Sequence, residues 1–279
     1  MSIHSGAARS IALAILLLLV ANDAFSQSIV GVLGIAAEIA PIERRLENSR
    51  EVNVQGYVFR IGTLGERQVV VGRSGAGKVN AAIVATLLIG EFKPAVVLFS
   101  GTAGAVDPSL QPGDVVIGAS VAQHDVGLQL PDGIRRRGLR NAVTGSLDPL
   151  LVPAPEPLLS VARRSAKELR LPAFRTVSGE ERSPQIVEGI IATGDVFLAD
   201  AGLRESLRTA LGASAIEMEG AAVVQTCRQF NVSCLVIRSV TDRADPQAWT
   251  NYQAYVAIAS EHAALVTASI IAALESGSQ

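Results

Sequence analysis

From residue 28 onward, short apolar runs alternate with segments of helical periodicity, which restricts the chain to an α/β architecture with a mostly parallel central sheet. The most constraining run is Ala95–Ser100, a continuous apolar stretch of the kind that forms a strand buried on both faces. Further strands are expected at Ile29–Leu33, Tyr57–Leu64, Gln68–Val71, Asp114–Ala122, Ile190–Thr193 and Ser233–Arg238, the second and third as a hairpin around Gly65. Helices are expected at Ala37–Glu47, Lys78–Phe92, Pro157–Leu169, Ala201–Leu211, Glu219–Phe230 and Gln253–Leu274. Proline in the first turn of the third helix removes an N–H that has no helical partner anyway. Asp125–Pro155 and Ser178–Gln185 carry the Gly, Pro and charge load and read as surface loops. The pattern implies one three-layer αβα domain over residues 27–279, with an insertion near 127–188.

Composition narrows the partners. With 49% hydrophobic residues the chain can bury a sizeable core, and aromatics at 4% leave that core to Ala, Val, Ile and Leu. A formal net charge of −2, with no basic block, argues against nucleic acid or an anionic membrane as partner. Arg9, an apolar run from Ile11 to about Ala21 and the small-residue site Ala24-Phe25-Ser26 describe an export signal over residues 1–26, cleaved near Ser26. The run falls short of the about 20 residues that span a bilayer. The mature chain is therefore expected in the periplasm without stable membrane insertion, an uncleaved anchor being the alternative. Cys227 and Cys234 fall in apolar surroundings on a helix and the strand after it, which suits buried free thiols at least as well as a disulfide. Two Cys and three His make a zinc site unexpected.

Gly72-Arg-Ser-Gly-Ala-Gly-Lys78-Val79 imitates a phosphate-binding loop, but Val79 stands where the Mg²⁺-binding hydroxyl is required. It reads as a tight strand-to-helix turn. Four other segments fall at or just beyond the C-terminal ends of strands, where open α/β folds bind ligands. They are GIAAEIAPI (34–42), SGTAGAV (100–106) with QPGDVVIG (111–118), TGDVFL (193–198) through AIEMEGAAVVQTC (215–227), and RSVTDRAD (238–245). In order and spacing they resemble the nucleoside phosphorylase/nucleosidase family, most closely the enzymes that hydrolyse methylthioadenosine and S-adenosylhomocysteine. The resemblance covers about residues 29–126 and 189–275, and EMEG followed by RSVTDRAD is its most specific part.

The resemblance implies hydrolysis of the N-glycosidic bond of a purine nucleoside, with no metal or organic cofactor. Asp242 would help protonate N7 of the base, which requires a carboxylic acid with a burial-raised pKa; alone, it reads as a helix cap. Glu38 would orient and deprotonate the water, with Thr102 and Arg238 helping to hold it; alone, it reads equally well as a solvated first-turn Glu. Gly34-Ile35 replaces the family's Ala-Met before that glutamate. Glu219 would accept the ribose hydroxyls and favour positive charge on the sugar, and Glu217 is the weaker candidate for this role. Met218 would pack on the ribose, Phe197 would stack on adenine, Leu198 would offer its backbone to the base, and Tyr252 would line the 5′ pocket. The family's homodimer would lend part of that pocket, and the segment around His124 is the expected donor.

Two alternatives stand beside hydrolysis. The hexameric phosphorylases of this fold hold phosphate with an Arg two residues before the G-S/T motif and a G-x-x-x-R loop; this chain has Phe99 and Glu38 at those positions. A glycine-rich turn can still bind an anion through its amides, which keeps phosphorolysis open. An exported nucleoside-binding protein without catalysis is the other alternative.

Overall fold

The computed structural model describes residues 28–131 and 133–274; the expected export signal and its processing site near Ser26 lie outside the described residues. In chain order the elements are β1 (Val30–Gly34), α1 (Ala36–Glu43), β2 (Glu47–Val54), β3 (Tyr57–Leu64), β4 (Arg67–Arg73), α2 (Lys78–Phe92), β5 (Val96–Ala105) and β6 (Val115–Gln123). There follow β7 (Gly127–Leu130), β8 (Gly133–Arg136), β9 (Val152–Pro153), α3 (Glu156–Glu168), β10 (Phe174–Arg175), β11 (Glu181–Arg182) and β12 (Ile186–Thr193). The chain closes with α4 (Ala201–Leu211), β13 (Ala213–Glu217), α5 (Gly220–Gln229), β14 (Ser233–Asp242) and α6 (Ala248–Ala273).

The main sheet runs β2-β3-β4-β1-β5-β14-β6-β12-β13, with β9 on β6. It is mixed: parallel pairing carries β4-β1-β5-β14 and β6-β12-β13, while the β2-β3-β4 meander and the β14–β6 junction are antiparallel. β13 also reaches back to β5, pairing Ala215 with Ala105 and Ile216 with Gly104, so one end of the sheet closes on itself. Apolar clusters lie on both faces: one joins the sheet to α2 and α5, the other to α1, α3 and α6. The three layers thus follow from strands apolar on both sides, as β5, buried at all ten residues, illustrates.

The elements differ from the sequence expectation in several places. The helix expected over Ala37–Glu47 stops at Glu43, and Glu47–Val54 forms the edge strand β2, whose residues are almost all exposed and so lack the apolar alternation that announces a strand. The five-residue β13 was unread, being too short to show a period. α6 starts at Ala248, before the expected Gln253. β5 and β14 run on to Ala105 and Asp242, past their apolar stretches, because their polar ends pair with each other: Arg238 with Gly101, Ser239 with Thr102, Asp242 with Gly104. That last extension builds the site. The segment read as an insertion carries the β7–β8 hairpin and also α3, whose Leu158, Leu159 and Ala162 are buried in the core.

Candidate active site

The C-terminal ends of β1, β5, β13 and β14 converge, and the loops beyond them bring together acids that are remote in sequence. β1 ends at Gly34 and α1 opens at Ala36, which puts Glu38 in the first helical turn, only 4% exposed. It is not the solvated first-turn residue that its position alone suggests. Its Oε1 accepts from the Thr102 hydroxyl at 2.5 Å and its Oε2 from the Thr102 N–H at 3.2 Å. Gly101 makes this approach possible, since a Cβ there would collide with Glu38 Oε2 and lie 2.8 Å from Arg238 Nη1. Burial pushes the Glu38 carboxyl above its ordinary range, while Arg238 and the Thr102 hydrogen bonds pull it back.

Arg238 is fully buried on β14 with its guanidinium 4.1 Å over the Phe99 ring. It donates to Glu217 Oε2 from Nη2 at 2.6 Å and Nε at 3.2 Å, and from Nη1 to the Phe99 and Ile237 carbonyls at 3.3 and 3.4 Å, while Glu219 Oε2 lies 3.8 Å from Nη2. Glu217 therefore holds the arginine, a more central place than the sequence reading accorded it. Glu217 also accepts from the Thr193 hydroxyl and from the N–H groups of Glu219, at 3.1 Å, and Gly220, at 2.7 Å, and so satisfies amides at the start of α5 that have no helical partner.

Glu219 is 3% exposed at the start of α5, and its Oε1 accepts the Gly77 N–H at 2.7 Å. Burial and the neighbouring Glu217 push its carboxyl up to about 7, against the pull of Arg238. Between about pH 4.5 and about 7 the folded protein thus keeps a proton that the unfolded chain releases, so this group makes stability fall as pH rises through that window. Glu219→Gln is expected to shrink the drop in Tm between about pH 5 and about pH 8; a calorimetric drop as large as in the wild type would refute the shift.

Asp242 ends β14, 2% exposed. Oδ1 accepts the Ala244 N–H at 2.9 Å, and Oδ2 accepts the Thr241 hydroxyl at 2.8 Å. It closes a local turn rather than capping a helix; α6 starts later, after Gln247. Burial raises its pKa against these two hydrogen bonds. Gly104 leaves the room it occupies, since a Cβ there would lie 2.8 Å from Asp242 Oδ1.

Tyr252 ties the group together. Burial, then the charges of Glu38, Glu219 and Asp242, raise its phenol, so its hydroxyl lies in the field of all three acids. Its ring meets Phe197 edge-on at 5.9 Å and stacks on Trp249 at 5.6 Å. Trp249 also meets Phe197, at 5.5 Å, and escaped the sequence reading. Its signal was available, three residues before Tyr252 on the same helix face. Leu198 is buried against Leu207 and Ile216, and Met218 is half-buried between Glu217 and Glu219. His124 lies in the turn after β6, 5% exposed, with its ring against Gly194.

A sequence profile described as "Phosphorylase superfamily" matches residues 28–273. The chain belongs to this superfamily. As a superfamily member it is 34% identical over 249 residues to a 5′-methylthioadenosine/S-adenosylhomocysteine nucleosidase of Staphylococcus aureus (strain JH9), covering 88% of this chain and 99% of the relative. Among solved structures it resembles a futalosine hydrolase mutant of Helicobacter pylori strain 26695, with a TM-score of 0.74, 30% identity, and 88% and 100% of the two chains covered. It also resembles the methylthioadenosine/S-adenosylhomocysteine nucleosidase of Neisseria meningitidis in complex with methylthio-immucillin-A, at TM-score 0.74, 29% identity, and 88% and 100% coverage. The α/β phosphorylase-like fold with its mixed central sheet follows from both comparisons.

Proposed function

We propose that this superfamily member hydrolyses the N-glycosidic bond of a purine nucleoside, with methylthioadenosine and S-adenosylhomocysteine the expected substrates. The observation that carries the reading is the convergence of Glu38, Glu219 and Asp242 on the polar ends of β5 and β14, Glu38 on Thr102, Glu219 beside Arg238 and Asp242 against Gly104, where burial holds all three acids above their ordinary range. In this reading Asp242, as a neutral acid, gives its proton to N7 of the base, and the C1′–N9 bonding pair leaves with the base. Glu219 accepts the ribose hydroxyls and favours the positive charge that develops at C1′. Water attacks C1′ and its proton passes to Glu38. Phe197, Leu198, Met218 and Tyr252 line the nucleoside.

Water is favoured over phosphate by the contacts of Thr102. Its hydroxyl and N–H are the donors an incoming anion would use, and both already end on the Glu38 carboxylate. A carboxylate there repels phosphate and suits a neutral nucleophile. Purified protein incubated without phosphate is expected to release free base from methylthioadenosine or S-adenosylhomocysteine, read by chromatography, with futalosine, adenosine and inosine as comparison substrates. Base appearing only after phosphate is added would establish a phosphorylase instead. Tight binding with no release from any nucleoside would establish a receptor.

A further inference from the structure

The Gly-rich turn ahead of α2 has no part in the chemistry above, yet it is fastened to the site. Gly77 N–H donates to Glu219 Oε1 and Lys78 N–H to Asp195 Oδ1, each at 2.7 Å. Two amides at the start of α2, which no helical carbonyl can satisfy, therefore end on carboxylates from two other segments. Gly77 has φ +88°, and a Cβ there would lie 3.2 Å from Asp195 Oδ1, so both the backbone conformation and the close approach favour glycine. The loop that imitates a phosphate cradle holds the protein's own acids.

The Lys78 side chain, 16% exposed, closes the arrangement. Its Nζ pairs with Asp125 Oδ1 at 2.7 Å and lies 3.8 Å from Asp195 Oδ2, while the Asp195 N–H donates to Asp125 Oδ2 at 3.1 Å. One cation thus binds the end of β6, the loop after β12 and the start of α2. Burial works to raise the Asp125 carboxyl, but Lys78 and the Asp195 N–H bring it below its ordinary range, so it is ionised at neutral pH.

We propose that Lys78 is a positioning residue: by clamping Asp125 and Asp195 it holds the Gly77 amide against Glu219 and so fixes the carboxylate that receives the ribose hydroxyls. This rests on the role given to Glu219 above. Without the cation, Asp125 and Asp195 repel each other and Lys78 N–H loses its acceptor. The Gly77 amide then drifts, and Glu219 samples orientations that do not meet the sugar. Isolated surface pairs are worth little, but here Lys78 and Asp125 are 16% and 26% exposed and two backbone hydrogen bonds support the pair.

The test compares Lys78→Met, Lys78→Arg and Asp125→Asn on methylthioadenosine and on its 2′,3′-dideoxy analogue. Lys78→Met and Asp125→Asn are expected to raise KM for methylthioadenosine by about tenfold or more with kcat changed by no more than about threefold. Lys78→Arg should recover most of the loss, because the charge is restored. On the dideoxy analogue, which has no hydroxyl for Glu219 to accept, the same variants should match the wild type within about twofold. An unchanged KM for methylthioadenosine in both Lys78→Met and Asp125→Asn overturns the proposal, as does an equal loss on the two substrates, which is the behaviour of a merely structural residue. Should Lys78→Met fail to fold, Asp125→Asn decides by the same ratio. A wild type inert towards every nucleoside overturns the functional reading and this inference with it; an active wild type with insensitive variants overturns this inference alone.

Discussion

Asp242→Asn is expected to lower kcat on the nucleoside substrate by about 100- to 10,000-fold, the range over which a positioned general acid contributes. The amide is nearly isosteric, so its oxygen can still accept the Ala244 N–H that Asp242 Oδ1 accepts at 2.9 Å. What it lacks is a proton that can be transferred. Because burial raises the carboxyl of Asp242, the aspartate costs folding stability progressively as the pH rises from its unfolded pKa to its raised folded one. The variant should therefore melt no lower than the wild type at about pH 8 while losing turnover. The pH–rate profile gives a second readout: in the wild type kcat falls on the alkaline side as Asp242 loses its proton, and in the variant that limb disappears. Wild-type turnover in Asp242→Asn would remove this residue from the mechanism.

Arg238→Met is expected to cost about 3–5 kcal/mol of folding stability at neutral pH, as removal of one partner of a buried ion pair does. Arg238 is 1% exposed and feels the charges of Glu217, Glu219 and Glu38. Its loss leaves these buried acids without the opposing charge. Glu38 and Glu219, already raised by burial, would rise further, so the variant's stability falls with increasing pH across the acid-to-neutral range. Urea unfolding should accordingly show a smaller difference from the wild type at about pH 5 than at about pH 8. A second change, Glu217→Leu, removes the carboxylate that accepts two of the arginine's hydrogen bonds and should restore part of the loss. A difference independent of pH would mean that Arg238 contributes through packing on Phe99 rather than through charge.

Much of this arrangement is legible along the chain. The apolar run Ala95–Ser100 places β5, and GTAG directly after it has the small residues that let Glu38 and Asp242 approach. The resemblance of EMEG and RSVTDRAD to a known family points to Glu219 and Asp242, and both lie buried near the polar ends of β5 and β14, as Glu38 does. Glu217 and Glu219 are harder to tell apart in sequence, standing two residues apart in the same motif. Their difference lies in what each faces: Glu217 faces Arg238, twenty-one residues on, and Glu219 faces the Gly77 amide, 142 residues back. The motif of the Gly-rich turn lacks the hydroxyl that phosphate binding requires, and nothing in its sequence announces the internal carboxylates that its amides hold.

Local order in the sequence determined the layers and most of the elements, because burial on two faces or on one helical stripe leaves a period that can be read over a few residues. Only the tertiary structure decided which acids are paired, which are raised towards neutrality and what the turn at Gly77 holds. Pairing and pKa depend on desolvation and on distances of a few ångströms between groups that the chain brings from remote positions, and no local period records them.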